Sequence, residues 1–167
     1  MTAKTILIRP IVSEKSYGMM DHAYKEYKAA EAQGKDLPTG AQSMVALSTH
    51  LATTFGQVKG SRITKDMIQE HLGARGVTDS AIVAVNKLIN GDKLSPAQWE
   101  AFHDLIQTSR NLTWDTAVRE ADRKHVPIDF LPDGQTAMKV GSHYGIVPTE
   151  DVAKFQKKNP DAETISQ

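Results

Sequence analysis

The sequence contains no cysteine among its 167 residues. Disulfide bonds, thiolate metal sites and cysteine nucleophiles are therefore excluded, and thiols give no information on the redox compartment. Net charge is absent as well, because 20 basic residues balance 20 acidic residues. A neutral chain lacks the electrostatic footprint of a dedicated nucleic-acid or anionic-membrane binder, so the charge balance disfavours both partners.

Long apolar runs are also missing. The run Ile6–Ile8 is followed by Arg9 and Pro10 and is too short for the core of a signal peptide. No later stretch approaches the roughly 18 apolar residues that a membrane-spanning helix requires. We therefore expect no signal peptide, no transmembrane segment and a cytoplasmic location.

The strongest pattern in the chain is a helix start. Ser95 is a preferred N-cap residue, Pro96 suits the first helical position, and Gln98 completes a capping box. Leu94 and Trp99 are placed to form a hydrophobic staple across this start. The pattern predicts a long helix that runs to about residue 124, before Pro127 ends it.

Two shorter helices precede this one. Thr78 is a predicted N-cap for a helix through about Ile89, which the following Asn-Gly pair ends at Gly91. Thr64 is the predicted cap of a helix through about Leu72.

Further upstream, a helix is predicted from about Ser13 to Gln33, with tyrosines along one side. A central core helix is predicted to begin at Thr39 or Gly40, because apolar residues recur there at spacings of three and four. These residues are Met44, Leu47, Leu51, Phe55 and Val58.

Residues 126–167 have a different character, with four of the seven prolines and no helical period. We expect a turn at Pro132–Gly134, a short extended piece at Thr136–Val140 and one last short helix that Thr149 caps. The predicted fold is thus mainly α, a small irregular bundle of four to five helices. Residues 1–12 form an N-terminal arm, 13–125 the helical domain, and 126–167 an extended C-terminal tail.

Catalytic and metal-binding patterns are sparse. Glu100 and His103 form one Glu-x-x-His pair on the long helix, whereas carboxylate-bridged di-iron bundles use two such pairs with two further glutamates. No nucleophile elbow or zinc-protease motif occurs. Lys59, Arg62 and Lys65 form a small basic patch without interleaved aromatic residues, which is a weak nucleic-acid signal. We therefore expect no catalytic residues, no bound metal and no cofactor.

Aromatic side chains are the better candidates for a functional surface, because tyrosine and tryptophan are enriched at protein interfaces. Two tryptophans lie about four turns apart on the long helix, and three tyrosines lie on the first helix. The interface candidates are Tyr17, Tyr24, Tyr27, Trp99, Trp114, Phe130 and Phe155.

Two resemblances bear on function. The segment Lys93–Gln98, a long helix with Trp114 and Ala121, and the extension Val126–Pro132 are similar to a helical module of virion-associated structural proteins from tailed phages and prophages. This resemblance covers roughly residues 40–133, and it implies a structural component of a virion with no catalytic residues. The opening Ile8–Gly18 resembles the N-terminal segment of a ribosomal protein family at the nascent-chain exit, but the rest of the chain departs from that family.

These observations favour a non-enzymatic structural or interaction subunit of a large, phage-like assembly, located in the cytoplasm or in a virion. Its partners would be copies of itself or other subunits of the assembly. One alternative is a small nucleic-acid- or ribosome-associated binding protein that uses the basic patch. A second is a metal-dependent helical enzyme centred on Glu100 and His103.

Overall fold

The computed structural model describes residues 3–35, 46–48, 51, 64–72, 76–128 and 131–165. Within these ranges the chain is mainly helical, which confirms the predicted fold class. The helices are α1 (Ala3–Ala32), α2 (Lys65–Leu72), α3 (Asp79–Asn90), α4 (Pro96–Lys124) and α5 (Val152–Lys158), and residues 46–48 and 51 are helical too. The strands are β1 (Gln135–Val140), β2 (His143–Pro148) and β3 (Ala162–Thr164). No described helix is long and apolar enough to cross a membrane.

The start of α4 has the predicted capping box. The backbone N–H of Gln98 donates to Ser95 Oγ at 3.3 Å, and the backbone N–H of Ser95 donates to Gln98 Oε1 at 3.0 Å. Two N–H groups that would otherwise lack partners are thereby satisfied. The helix ends at Lys124, and His125 follows with a left-handed φ of 51°.

Local signals also set the ends of α2 and α3. Thr78 Oγ1 accepts the N–H of Ala81 at 3.2 Å, and Gly91 ends α3 with a left-handed φ of 77°. Thr64 Oγ1 accepts the N–H of Met67 at 3.4 Å at the start of α2. The predicted caps at Thr64, Thr78 and Ser95 are therefore confirmed.

The first twelve residues are not the extended arm that we predicted. α1 begins at Ala3 and is continuous through Pro10 to Ala32. A proline inside a helix removes one backbone donor and disfavours helix at the preceding residue. Lys4, Leu7 and Arg9 are good helix formers, but Ile8, Ile11 and Val12 are β-branched, so local propensity does not explain why the helix continues through Pro10.

The chain divides into two compact units, with one boundary inside α1 after Val12 and the other inside α4 after Ser109 rather than at residue 125. The helical unit comprises Ser13–Ser109, and the sheet unit comprises Met1–Val12 with Arg110–Gln167. In the helical unit, buried residues of α1, α2, α3 and α4 surround Leu47 and Leu51, which are fully buried as the predicted core helix requires. Met44, Phe55 and Val58 of that prediction lie outside the described residues.

The sheet unit replaces the predicted extended tail. Its antiparallel strands lie in the order β2-β1-β3, and one face of β1 and β2 packs against the second half of α4. Trp114, Val118 and Ala121 of α4 form this core with Ile128 and Ala137. The predicted turn at Pro132–Gly134 and the extended piece at Thr136–Val140 are confirmed. α5 is the predicted last helix, but Thr149 does not cap it, because Thr149 begins a short 3-10 helix, Thr149–Asp151, that precedes α5.

The high proline content of residues 126–167 led to the wrong prediction of an extended tail, because these prolines lie at positions that a small sheet tolerates. Pro148 is the last residue of the edge strand β2, and Pro160 lies in the turn before β3. Neither position demands a ladder N–H from within the sheet. Residues 131–165 therefore pack on the second half of α4.

Candidate functional site

Two aromatic stacks join α1 to α4 in the helical unit. The rings of Tyr24 and His103 lie 3.9 Å apart with planes at 18°, and those of Tyr27 and Trp99 lie 5.1 Å apart with planes at 13°. Residues three and four positions apart share a helix face, so each helix presents one pair to the other. The two stacks are possible because Tyr24 and Tyr27 lie on one face of α1, while Trp99 and His103 lie on one face of α4.

Polar bonds close around these rings. Tyr24 Oη donates to Glu100 Oε2 at 2.7 Å, and Lys28 Nζ donates to Glu100 Oε1 at 3.1 Å and to Glu31 Oε2 at 2.8 Å. Tyr27 Oη donates to Glu31 Oε1 at 2.8 Å. We call Tyr24, Tyr27, Lys28, Glu31, Trp99, Glu100 and His103 the α1–α4 cluster.

The hydrogen bonds fix the protonation states in the cluster. The bond to Glu100 and, secondly, burial raise the pKa of Tyr24 to about 12. Hydrogen bonds from Tyr24 and then from Lys28 lower the pKa of Glu100. The bond to Glu31, followed by the bond to Glu100, raises the pKa of Lys28. Near neutral pH the phenol stays protonated and the carboxylate stays ionised, so the arrangement is suited to joining two helices and poorly suited to proton transfer.

The Glu-x-x-His pair is part of this cluster. Both carboxylate oxygens of Glu100 accept hydrogen bonds, and the ring of His103 lies flat on Tyr24. Among the residues that the structure describes, there is no group of three or more histidine, aspartate or glutamate side chains that could hold a metal ion. Both members of the pair thus contact Tyr24 on α1.

Three predicted interface residues are buried in the chain's own cores. The exposed fractions are 1% for Trp114, 3% for Trp99 and 8% for Tyr27. Trp114 packs in the sheet unit, and the other two pack in the helical unit. The interface prediction is corrected for these three, because large aromatic side chains at buried helix positions serve the chain's own packing.

The remaining candidates differ in position. Tyr17 and Tyr24 are half-buried at the surface of α1, and Gln107 Nε2 donates to Tyr17 Oη at 2.8 Å. Phe155 is half-buried on α5. Phe130 lies outside the described residues, as do Lys59 and Arg62 of the predicted basic patch. Lys65 is exposed at the first residue of α2.

A polar cluster in the sheet unit was not predicted from the sequence. Asp115 Oδ2 accepts the backbone N–H of Tyr144 at 2.8 Å, and Arg119 donates to Asp115 Oδ1 at 2.6 Å and to the carbonyl of Ser142 at 3.1 Å. Tyr144 Oη donates to Asp122 Oδ2 at 2.9 Å. The spacing of Asp115, Arg119 and Asp122 along one helix face was the available signal, but their partners on β2 are distant in sequence.

Comparisons of the chain with family models, curated proteins and solved structures give no significant match.

Proposed function

We propose that the chain is a non-enzymatic structural subunit that assembles with copies of itself, as a component of a larger particle of the phage-like kind that its helical resemblance implies. The proposal depends on the surface formed by Tyr17, Tyr24, His103 and Gln107, which we call the α1–α4 face. These side chains are partly exposed, although all four belong to two packed helices.

One observation carries the proposal: the side chains of the α1–α4 face are fixed in place within the free chain. Tyr24 is stacked on His103 and bonded to Glu100, and Tyr17 is bonded to Gln107. Ordering a flexible side chain on binding costs about 0.5–1.5 kcal/mol, and a pre-ordered one avoids that cost. Rigid tyrosines also supply large contact area with few rotatable bonds. Such a face suits a protein interface.

Neutrality supports the same function. Equal numbers of acidic and basic residues leave close packing of many copies unopposed by long-range repulsion. In the α1–α4 cluster, Lys28 is paired with both Glu31 and Glu100, so these three charged side chains leave one net negative charge there.

Sedimentation velocity of the full chain over a range of concentrations tests the proposal. We expect reversible self-association that His103→Ala weakens by about tenfold, since the ring that stacks on Tyr24 is lost. His22→Ala is the matched control, because that histidine also lies on a helix but has a 68% exposed side chain outside the cluster. Thermal melts of both variants show whether the fold is retained.

A chain that stays monomeric up to about 0.1 mM would contradict self-assembly. Equal effects of the two histidine variants would remove the α1–α4 face from the interface. The nucleic-acid alternative makes a different prediction, namely binding to DNA or RNA that falls steeply as salt is raised.

A further inference from the structure

A groove of about 160 Å³ lies in the helical unit, between the segment that enters α3 and one side of α4. Val77 and Ala81 line it from the first side, and Ala101 and Leu105 line it from α4. Asp104 and Thr108 lie at its rim. The four α4 residues follow spacings of three and four, so they form one stripe along the helix.

The apolar floor of the groove is preformed. Val77, Ala81 and Leu105 belong to the hydrophobic core, with exposed fractions of 6%, 2% and 5%. Their positions are therefore set by packing within the chain and need no ligand. An apolar cavity of about 150 Å³ admits a molecule the size of benzene, so the groove has room for a chain of four methylene groups.

Asp104 gives the groove its charge. Its exposed carboxylate makes no hydrogen bond or ion pair with the described residues, whereas Glu100, one turn earlier on α4, is bonded to Tyr24 and Lys28. The start of α3, which also borders the groove, carries the partial positive charge of a helix N-terminus. Asp79 in the first turn balances this charge, and Thr78 accepts the N–H of Ala81. Among the described residues, the groove therefore combines an apolar floor with one negative charge at its rim that has no ion-pair partner.

We propose that this groove binds the side chain of a lysine from a partner protein. The four methylene groups would lie on Val77, Ala81 and Leu105, and the ammonium group would meet Asp104. Lysine has this combination of an apolar stem and a compact cationic end. The inference rests on the proposed function in one respect, since a protein partner supplies the lysine.

A tethered side chain fits the site better than a free amine does. The rim residues Asp104 and Thr108 are exposed, and an ion pair at the surface contributes only about 0–1 kcal/mol. A free ligand of this size loses translational and rotational entropy when it binds, and its contacts must offset the whole of that cost. For a lysine side chain, the other contacts of the protein interface offset most of the same cost.

The probe for the test is n-butylammonium, which reproduces the lysine side chain. In NMR titrations of the full chain, we expect saturable shifts of the methyl groups of Val77, Ala81 and Leu105 at millimolar concentrations. Asp104→Asn is expected to weaken the binding about threefold, in line with a single surface ion pair. Asp92→Asn is the matched control, since that exposed aspartate lies in the loop after α3 and does not line the groove.

Neutral n-butanol and anionic butyrate are the matched ligands. Equal shifts with n-butanol, or stronger binding of butyrate, would overturn the role of Asp104. Absence of shifts with n-butylammonium would overturn the site itself. Neither result bears on self-association, which sedimentation measures without the probe, so failure of the groove and failure of the proposed function are distinguishable.

Discussion

The phenol of Tyr24 and the carboxylate of Glu100, 76 positions apart in the sequence, are joined by a hydrogen bond of 2.7 Å. The bond links α1 to α4 at the edge of the stacked rings, and the same carboxylate receives Lys28 on its other oxygen. One glutamate thus organises an aromatic and a cationic side chain that lie one turn apart on the first helix.

This bond predicts an unusual titration at high pH. Tyr24 has a pKa of about 12 against an ordinary value of 10.0, because its hydrogen bond to Glu100 favours the protonated phenol and burial disfavours the phenolate. Since the folded-state pKa is raised, the stability that it contributes is complete below pH 10 and is lost as pH rises through about 12. Glu100→Gln is expected to return the pKa of Tyr24 toward its ordinary value.

Tyrosinate absorbance measures this directly. The Tyr24 signal is obtained as the difference between the native chain and Tyr24→Phe, which keeps the ring and removes the hydroxyl. An unchanged titration in Glu100→Gln would mean that burial, the secondary cause, raises the pKa of Tyr24 by itself.

The capping box at α4 predicts a measurable loss of stability. Ser95→Ala removes the acceptor of the Gln98 N–H and is expected to cost about 1 kcal/mol in urea unfolding. Ser80→Ala is the matched control, because Ser80 is exposed within α3 and is not its cap, and its effect should stay within about 0.5 kcal/mol. Equal losses in the two variants would show that the box contributes nothing.

Replacing glycine with alanine is expected to change the free energy of unfolding in opposite directions at two positions. Gly18 lies in the interior of α1 with open space around it, so Gly18→Ala should stabilise the chain by about 0.5–1 kcal/mol. Gly91 has a φ of 77°, which alanine adopts at a cost, so Gly91→Ala should destabilise by about 1 kcal/mol. Urea unfolding of both variants tests the pair, and effects of the same sign would contradict it.

Asp115 predicts a role in protecting the edge of the sheet. Val140 and His143 flank a two-residue turn and form a hydrogen-bonded pair. Hydrogen-bonded and non-hydrogen-bonded pairs alternate along an antiparallel ladder, so the N–H of the next residue, Tyr144, points away from β1. Asp115 accepts that N–H. Asp115→Ala should therefore cost about 1–3 kcal/mol, because a partly buried donor and Arg119 lose their acceptor.

An exposed strand edge also promotes pairing between molecules. We expect Asp115→Ala to aggregate through β2 on mild heating, as light scattering would show. Asp115→Asn keeps an oxygen that can accept the Tyr144 N–H and should aggregate less. Equal aggregation of both variants would indicate loss of the Arg119 ion pair as the cause.

Features set by neighbouring residues were predictable from the sequence. The caps at Thr64, Thr78 and Ser95 and the stop at Gly91 each depend on side chains within a few positions, and all four are confirmed. The end of α4 at Lys124 was predicted on the same local basis.

Features that depend on residues distant in the sequence could not be predicted. β1 was predicted as an isolated extended piece, but its partners β2 and β3 are recognisable only by pairing, and β3 has three residues. In the same way, the sequence identified Tyr24, Tyr27 and Trp99 as interface candidates and His103 as part of a Glu-x-x-His pair. It did not indicate that these four side chains stack on one another. Sequence spacing defines the face of one helix, while the partner of that face depends on the tertiary fold.

The strand order β2-β1-β3 has a consequence for synthesis on the ribosome. β1 emerges first and β2 follows after a two-residue turn, so the hairpin is complete early. β3 pairs with Met138–Val140 from the other side, but it emerges only after α5. Until β3 has emerged, the central strand β1 is itself an edge with unpaired backbone groups, and such an edge can pair with another chain.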